Sequence, residues 1–212
     1  MLRWMTALFF LPAFIQGQSL SADSFFKNDS IPALYLGIDF TKAKLINDEV
    51  SKADIIQGRQ FKGINDLIIK EFKKYEVKEA FQRKNWQVDL SEVDIRNQKV
   101  NPDQLKSIND SDLYRLGESD IDTLVNEFNY GGRRGYGVLL IVEGMSKSKK
   151  IMTIWFTLID MEAKKVLYTD MLEGRESGGF GFRNYWSSAI KSTINQVKND
   201  KYDEWKVSLG TK

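Results

Sequence analysis

The chain of 212 residues has no cysteine, no histidine and only 3 prolines. Without cysteine there is no disulfide, thiol nucleophile or thiolate metal site, so the fold must stand on packing alone. Without histidine, the commonest metal ligand and the usual general base near neutral pH are both missing. Ser-His-Asp, Cys-His and His-based zinc chemistry are excluded, and an enzyme built on this sequence would depend on carboxylates, Lys, Tyr, Ser or Thr. A marked excess of charge is also lacking, with 31 basic residues against 29 acidic ones and a formal net charge of +2. That balance argues against nucleic acid as the main partner, because a nucleic-acid-binding face usually shows as a clear basic surplus. Aromatic residues make up 12% of the chain, which speaks against a disordered polypeptide.

Residues Met1 to Gly17 read as a secretory signal peptide. Arg3 supplies the positive n-region, Trp4 to Ile15 the apolar h-region, and a cut after Gly17 leaves Gln18 as the new N-terminus. The apolar run is too short to span a bilayer, which takes about 20 residues, so no transmembrane segment is expected after leader removal. No cysteine follows the cut, so this route offers no N-terminal lipid anchor. The expectation is an exported protein, periplasmic or secreted, large enough for one domain with a full core.

The rest divides into a loose lead-in (18–32), a single domain (33–200) and a polar tail (201–212) with Trp205 as its one anchor. Leu34, Leu36, Ile38 and Phe40 alternate with Tyr35, Gly37 and Asp39, which predicts a strand with one buried face from Ala33 to Phe40, extendable to Ile46. A helix fits Gly63 to Tyr75, with Ile64, Leu67, Ile68 and Phe72 on one stripe. Trp86, Val88 and Leu90 suggest a second strand. Ser119 is the expected N-cap of a helix carrying Ile121, Leu124, Val125 and Phe128, which Gly131 and Gly132 end. Gly137 to Gly144 reads as a central strand covered on both faces. Strands from Ile151 to Ile159 and Lys165 to Leu172 follow as an antiparallel meander. A last helix, Arg183 to Lys198, carries the stripe Trp186, Ala189, Ile190, Thr193, Ile194 and Val197. The order β-α-β-α-β-β-β-α predicts an α+β domain with a mixed sheet of about five strands and helices packed on it.

The strand ending at Gly37-Ile38-Asp39, the late strand Gly137 to Gly144 and the segment TLIDMEAKKVLYTD together resemble small envelope domains of two families. These are the TolB N-terminal domain and the LpoB-like activators of penicillin-binding proteins. IDMEAKKVLYTD is similar to their V-D-x-x-T-G-x-V hairpin, with Lys164-Lys165 where those families have Thr-Gly. GGFGFRNYW resembles a segment of exported proteins of Bacteroidetes type. The resemblance implies an envelope location, an envelope protein as partner, and no particular activity.

Two glycine-rich, arginine-bearing loops are the candidate binding sites. In GRESGGFGFRNYW, Gly178, Gly179 and Gly181 precede a helix N-terminus, which suits a phosphate or carboxylate, and Arg175 and Arg183 can add charge-assisted hydrogen bonds. The loop lacks the Gly-Lys-Ser/Thr ending of a Walker A motif and the spacing of a dinucleotide fingerprint, so no cofactor is expected. A structural alternative has the glycines turn the chain while Phe180, Phe182, Tyr185 and Trp186 plug the core. In YGGRRGYG, Arg133 and Arg134 either face an anionic partner or form a solvated turn. Together the loops would make a site only if they met at one end of the sheet. Among carboxylates, Asp39, Glu143, Asp160, Asp170 and Glu173 lie in or near strands, and no spacing pairs two of them as a hydrolase needs. Glu143, inside an apolar strand, either needs a buried partner or reaches solvent at the strand end. Lys147, Lys149 and Lys150 read as a solvated hairpin turn.

These readings combine into an exported, non-enzymatic domain that binds a protein or envelope partner. The alternative is a carboxylate- or Arg-dependent enzyme acting on an anionic or glycan substrate.

Overall fold

The computed structural model describes residues 19–210; the leader reading of Met1 to Gly17 lies outside them. Along the chain come helix α1 (Ala22–Lys27), strands β1 (Ala33–Asp39) and β2 (Lys44–Ile46), and helices α2 (Ala53–Ile55), α3 (Phe61–Lys70), α4 (Phe72–Tyr75) and α5 (Val77–Ala80). Strand β3 (Trp86–Val88), helix α6 (Ser91–Asn97), strand β4 (Lys106–Ser107) and helix α7 (Glu118–Glu127) follow. Strands β5 (Tyr136–Ser146), β6 (Ile151–Asp160) and β7 (Lys165–Arg175) then lead to helices α8 (Gly181–Gln196) and α9 (Tyr202–Gly210).

Every residue of β5 is buried, which is why its sequence is an apolar run rather than an alternation. β6 lies antiparallel along one edge of β5 for its whole length. β1 and β2 must therefore share the other edge, where β1 pairs parallel with Tyr136 to Ile141 and β2 with Gly144 to Ser146. They form one column of the sheet, interrupted at Phe40 to Ala43. Outside it, β3 pairs parallel with β1 and β4 with β2, making a second interrupted column. β7 pairs antiparallel with β6 and forms the far edge. The sheet thus has seven strands in five columns, where the sequence suggested five strands. The additional strands, β2 and β4, are 3 and 2 residues long and too short to show a period.

A bulge at Gly37, which takes a left-handed φ of +97°, shifts the β1–β5 register. As a result Tyr35 and Ile38, three residues apart, point into the same apolar layer, while Leu34 and Leu36 point into the other. The expected single buried face of β1 is replaced by two, because the strand is interior and covered on both sides. Past the bulge β1 loses β3 as a neighbour, and two side-chain amides stand in for the missing strand. Asn65 of α3 accepts from Ile38 N (2.8 Å) and donates to Ile38 O (3.0 Å). Asn97 of α6 accepts from Phe40 N (2.7 Å) and donates to the same carbonyl (2.9 Å).

The larger layer packs α1, α3, α5, α8 and α9 on one face, and the smaller packs α6 and α7 on the other. With helices on both faces and a parallel first half, the domain is a mixed α/β three-layer arrangement rather than the α+β class expected. All six residues of the predicted last-helix stripe are buried, five of them in α8 and Val197 just past its end. Helix α7 starts at an N-cap two residues earlier than expected, at Gly117, whose N–H donates to Asp120 Oδ2 at 2.9 Å. The predicted Gly63–Tyr75 helix breaks at Glu71, which has φ −98° and ψ 40° and separates α3 from α4.

Two segments read as irregular are ordered parts of the core. The lead-in folds into α1 and buries Phe25 and Phe26, and the polar tail folds into α9 and buries Tyr202 and Trp205. Each has only two or three apolar anchors, too few for a periodic signal, but the two helices supply each other's cover. Phe26 lies 5.2 Å from Tyr202 and 6.0 Å from Trp205, ring centre to ring centre. Trp205 in turn stacks on Phe156 of β6 at 4.6 Å and 7°. Buried Arg83 ties the pair together by donating to the carbonyls of Phe25 (2.9 Å) and Asn28 (2.8 Å) and to the Tyr202 hydroxyl.

Candidate functional site

The strand register decides which loops share a neighbourhood. Ser146 at the end of β5 is opposite Ile151, which is opposite Arg175 at the end of β7. β2 ends beside Ser146 and β4 beside β2. The segments that follow β2, β4, β5 and β7 therefore leave the same end of the sheet. This end carries the three most exposed large apolar side chains among the described residues: Val50 at 93%, Ile108 at 88% and Phe180 at 98%. No periodicity could have found Val50 and Ile108, because each is a single apolar residue in a polar loop.

Hydrogen bonds hold these tips from within. Asp48, itself buried, accepts from Ser51 N (3.0 Å) and Ser51 Oγ (2.7 Å) and so closes the loop that displays Val50. Beside Ile108, Asn109 N donates to Ser107 Oγ and Asn109 Oδ1 accepts from Ser111 N, at 3.0 and 3.1 Å. Asn184 Nδ2 donates to the Phe180 carbonyl at 3.0 Å. Between the loops, Asn47 Nδ2 donates to Asp110 Oδ1 (3.0 Å) and Ser148 Oγ (3.2 Å). Lys149 pairs with Asp110 at 3.2 Å, and Glu176 N donates to the Lys150 carbonyl at 3.1 Å. Lys147 rests 3.8 Å from the centre of the Tyr185 ring. Burial, with Glu176 nearby as a smaller cause, raises the Tyr185 pKa. Lys147, Lys149 and Lys150 form the exposed turn expected of them, although each has a partner in this network.

The first glycine loop belongs to this end, but the groups expected to converge on an anion there do not come together. Gly178 N donates to Glu176 Oε2 at 2.7 Å, so the chain's own carboxylate takes an amide that would have met a ligand. Gly178, Gly179 and Gly181 all have left-handed φ values, and a Cβ at Gly179 would stand 2.8 Å from the Asn184 backbone. Turning the chain is their role here. Trp186 is fully buried and Phe182 and Tyr185 partly so, while Phe180 neither plugs the core nor walls a pocket. Arg175 and Arg183 do not converge. Arg175 lines a groove with Ser188, Ser192 and Asn195, whereas Arg183 lines a different one with Arg59, Lys62 and Lys70. At 3.6 residues per turn, those three α8 positions lie roughly 120–180° round the helix from Arg183.

The second loop is at the opposite end of the sheet, next to Tyr136, which pairs with Asp160 and through it with Lys165. The two glycine loops therefore do not meet. Arg133 pairs with Asp89 and donates to the Tyr130 carbonyl at 2.9 Å, and Arg134 lies 3.4 Å from Glu162. Each of these arginines thus has a carboxylate partner.

Each strand carboxylate has its own partner. Asp39, fully buried, accepts from Thr41 N (2.7 Å) and Thr41 Oγ1 (2.5 Å) and pairs with Arg96 Nε at 2.7 Å. Asp160 caps the turn at Glu162 and Ala163, and Asp170 accepts from Trp205 Nε1 at 2.8 Å. Glu173 accepts from the Tyr114 hydroxyl at 2.6 Å, and this bond raises the Tyr114 pKa to about 12. Glu143 does not reach solvent. It stands at a β5 bulge with no exposure, accepting from the backbone N–H groups of Arg115 and Leu116 (2.5 Å to the latter) and from Trp155 Nε1 at 2.9 Å.

No protein-family model matches the chain, and no curated protein matches it. Among solved structures, a lipoprotein from Neisseria meningitidis is similar at 10% identity and a TM-score of 0.32, over 79% of this chain and 97% of that one. A score of that size does not define a shared fold. Among the described residues, no helix is long and apolar enough to cross a membrane.

Proposed function

We propose that this protein is an exported, non-enzymatic binding module that engages an envelope partner through the end of the sheet bearing Val50, Ile108 and Phe180. The observation that carries the reading is that the three most exposed large apolar side chains stand on three separate loops at one end, each held by local hydrogen bonds. Single exposed apolar residues are ordinary, but three on hydrogen-bonded loops at one end of the sheet support the reading of an interaction surface. Burying each side chain against a partner is worth roughly 1.5–3 kcal/mol. The leader-like Met1 to Gly17 supports export, and the strand carboxylates, each engaged by its own donor, favour a binding role over acid–base chemistry.

The test compares the mature protein with a variant in which Val50, Ile108 and Phe180 are all serine. Such exposed changes should leave stability within about 0.5 kcal/mol each. Both proteins are immobilised and exposed to envelope extract. A partner retained by the wild type and lost by the variant is the expected result. Identical retention by both would show that this end is not the working surface, and N-terminal sequencing that found an intact Met1 on correctly located protein would end the export reading.

A further inference from the structure

Arg183 occupies a place that its own helix does not explain. It leaves the first turn of α8 and lies across α3 at Gly63, where an added Cβ would stand 2.5 Å from Nε and 2.6 Å from Cζ. Glycine is the least favourable residue for a helix interior after proline. Here its missing side chain makes the notch in which the guanidinium rests. The notch opens into a groove of about 370 Å³ whose other charged lining groups are Arg59, Lys62, Lys70 and Asp66. Lys62 pairs with Asp66 and Asp94 at 2.9 Å each, and that cluster carries one net negative charge. That leaves Arg59, Lys70 and Arg183 exposed on one groove, with no ion pair to any of them among the described residues.

The three cations share one groove and outweigh the Lys62 cluster by two charges, a surplus that a multiply charged anion matches better than a single carboxylate does. A guanidinium also offers two parallel N–H groups to a phosphate oxygen pair. We infer that the α3–α8 groove binds a phosphate group, with Arg183 seated on Gly63 as its principal donor and Arg59 and Lys70 completing the charge. The groove is open, so the phosphate can be free or can be the headgroup of an anionic lipid. This inference is independent of the loop-tip surface, since none of its residues is Val50, Ile108 or Phe180.

The experiment titrates the mature protein with inorganic pyrophosphate in a calorimeter at low salt, and separately sediments it with vesicles of phosphatidylglycerol or of phosphatidylcholine. Arg183→Gln should weaken binding about 10- to 100-fold, the range for losing one charged hydrogen-bonding group. Gly63→Ala is the sharper variant, because it keeps every charge and displaces only the guanidinium. The fold should tolerate it, since what must move is the far end of a flexible side chain. It should bind at least about fivefold more weakly while melting no lower than wild type. Lys164→Gln, on the turn at the other end of the sheet, removes the same charge as Arg183→Gln and should change binding by less than about twofold. Pyrophosphate binding without vesicle binding identifies a free phosphate, and selective sedimentation with phosphatidylglycerol identifies a lipid headgroup; either supports the site if the two groove variants lose it. The inference is overturned if wild type binds neither probe, if Gly63→Ala binds like wild type, or if Lys164→Gln weakens binding as much as Arg183→Gln does. Should Arg183→Gln fail to fold, Arg59→Gln with Lys70→Gln gives the same reading.

Discussion

Replacing Glu143 with glutamine should destabilise the protein by about 2–4 kcal/mol. The carboxylate is fully buried and meets three N–H donors, those of Arg115 and Leu116 on one oxygen and the Trp155 indole on the other. Glutamine keeps one carbonyl oxygen, which can serve the two backbone donors, but its amino group then faces the indole N–H, donor against donor. Bonds to a charged acceptor contribute about 1.5–3 kcal/mol and neutral ones about 0.5–1.5, so two bonds weaken. The third is lost, and a buried donor without a partner costs a further 1–3 kcal/mol or so. Against this, a neutral amide no longer carries the desolvation cost of a buried charge, which brings the sum down to the range given. Urea unfolding followed by circular dichroism at pH 7 would measure it, and in a heating scan each kcal/mol should appear as about 2–4 °C for a domain of this size. The indole N–H resonance of Trp155 should move upfield as its charged acceptor is lost. A variant within about 0.5 kcal/mol of wild type would refute the argument, because that is the range of surface substitutions.

Ile190→Ala, in the fully buried stripe of α8, should cost about 2–5 kcal/mol by the same unfolding assay; a loss under about 0.5 kcal/mol would mean the stripe is not core. Gly174→Ala should be worse than Gly178→Ala. A Cβ at Gly174 runs into the Ala189 carbonyl and would force α8 off β7, whereas Gly178 has open space and only a left-handed φ, a strain of about 1–2 kcal/mol. Equal melting temperatures for the two variants would contradict this. Burial raises the pKa of Tyr35, Tyr130 and Tyr168. Because these tyrosines ionise near pH 10 in the unfolded chain but stay neutral in the folded one, their contribution is fully present below about pH 10 and is lost as pH rises beyond it. Thermal melts from pH 8 to pH 12 should show a steep decline above about pH 10, and a flat profile to about pH 11 would exclude it.

Legibility in the sequence followed the length and contrast of each pattern. β5 was readable because a strand covered on both faces leaves an unbroken apolar run, and α8 because its stripe spans about three turns. β4, two residues long, and α9, with two buried anchors, leave no period to detect. The possible extension of the first strand to Ile46 matches the column that β1 and β2 share, but its interruption depends on Asn65 and Asn97, which lie 27 and 59 residues from Ile38. At the candidate site, the glycine loop was visible through composition. What that loop does was not, because Glu176 occupies one of its amides and Gly63, on a different helix, determines where Arg183 rests. Glu143 was visible as an anomaly, yet two of its three donors come from a loop 27 and 28 residues earlier.

The meeting of α1 and α9 bears on when this chain can finish folding. Phe26 and Phe156 have no complete cover until Tyr202 and Trp205 have been synthesised. A ribosome releasing residues in order therefore leaves one aromatic cavity open until Trp205 has emerged, and its closure follows the synthesis of every described strand. The first and last of the described helices also end up side by side, so a short bridge between them could close the described residues into a ring whose opening elsewhere would leave the core intact.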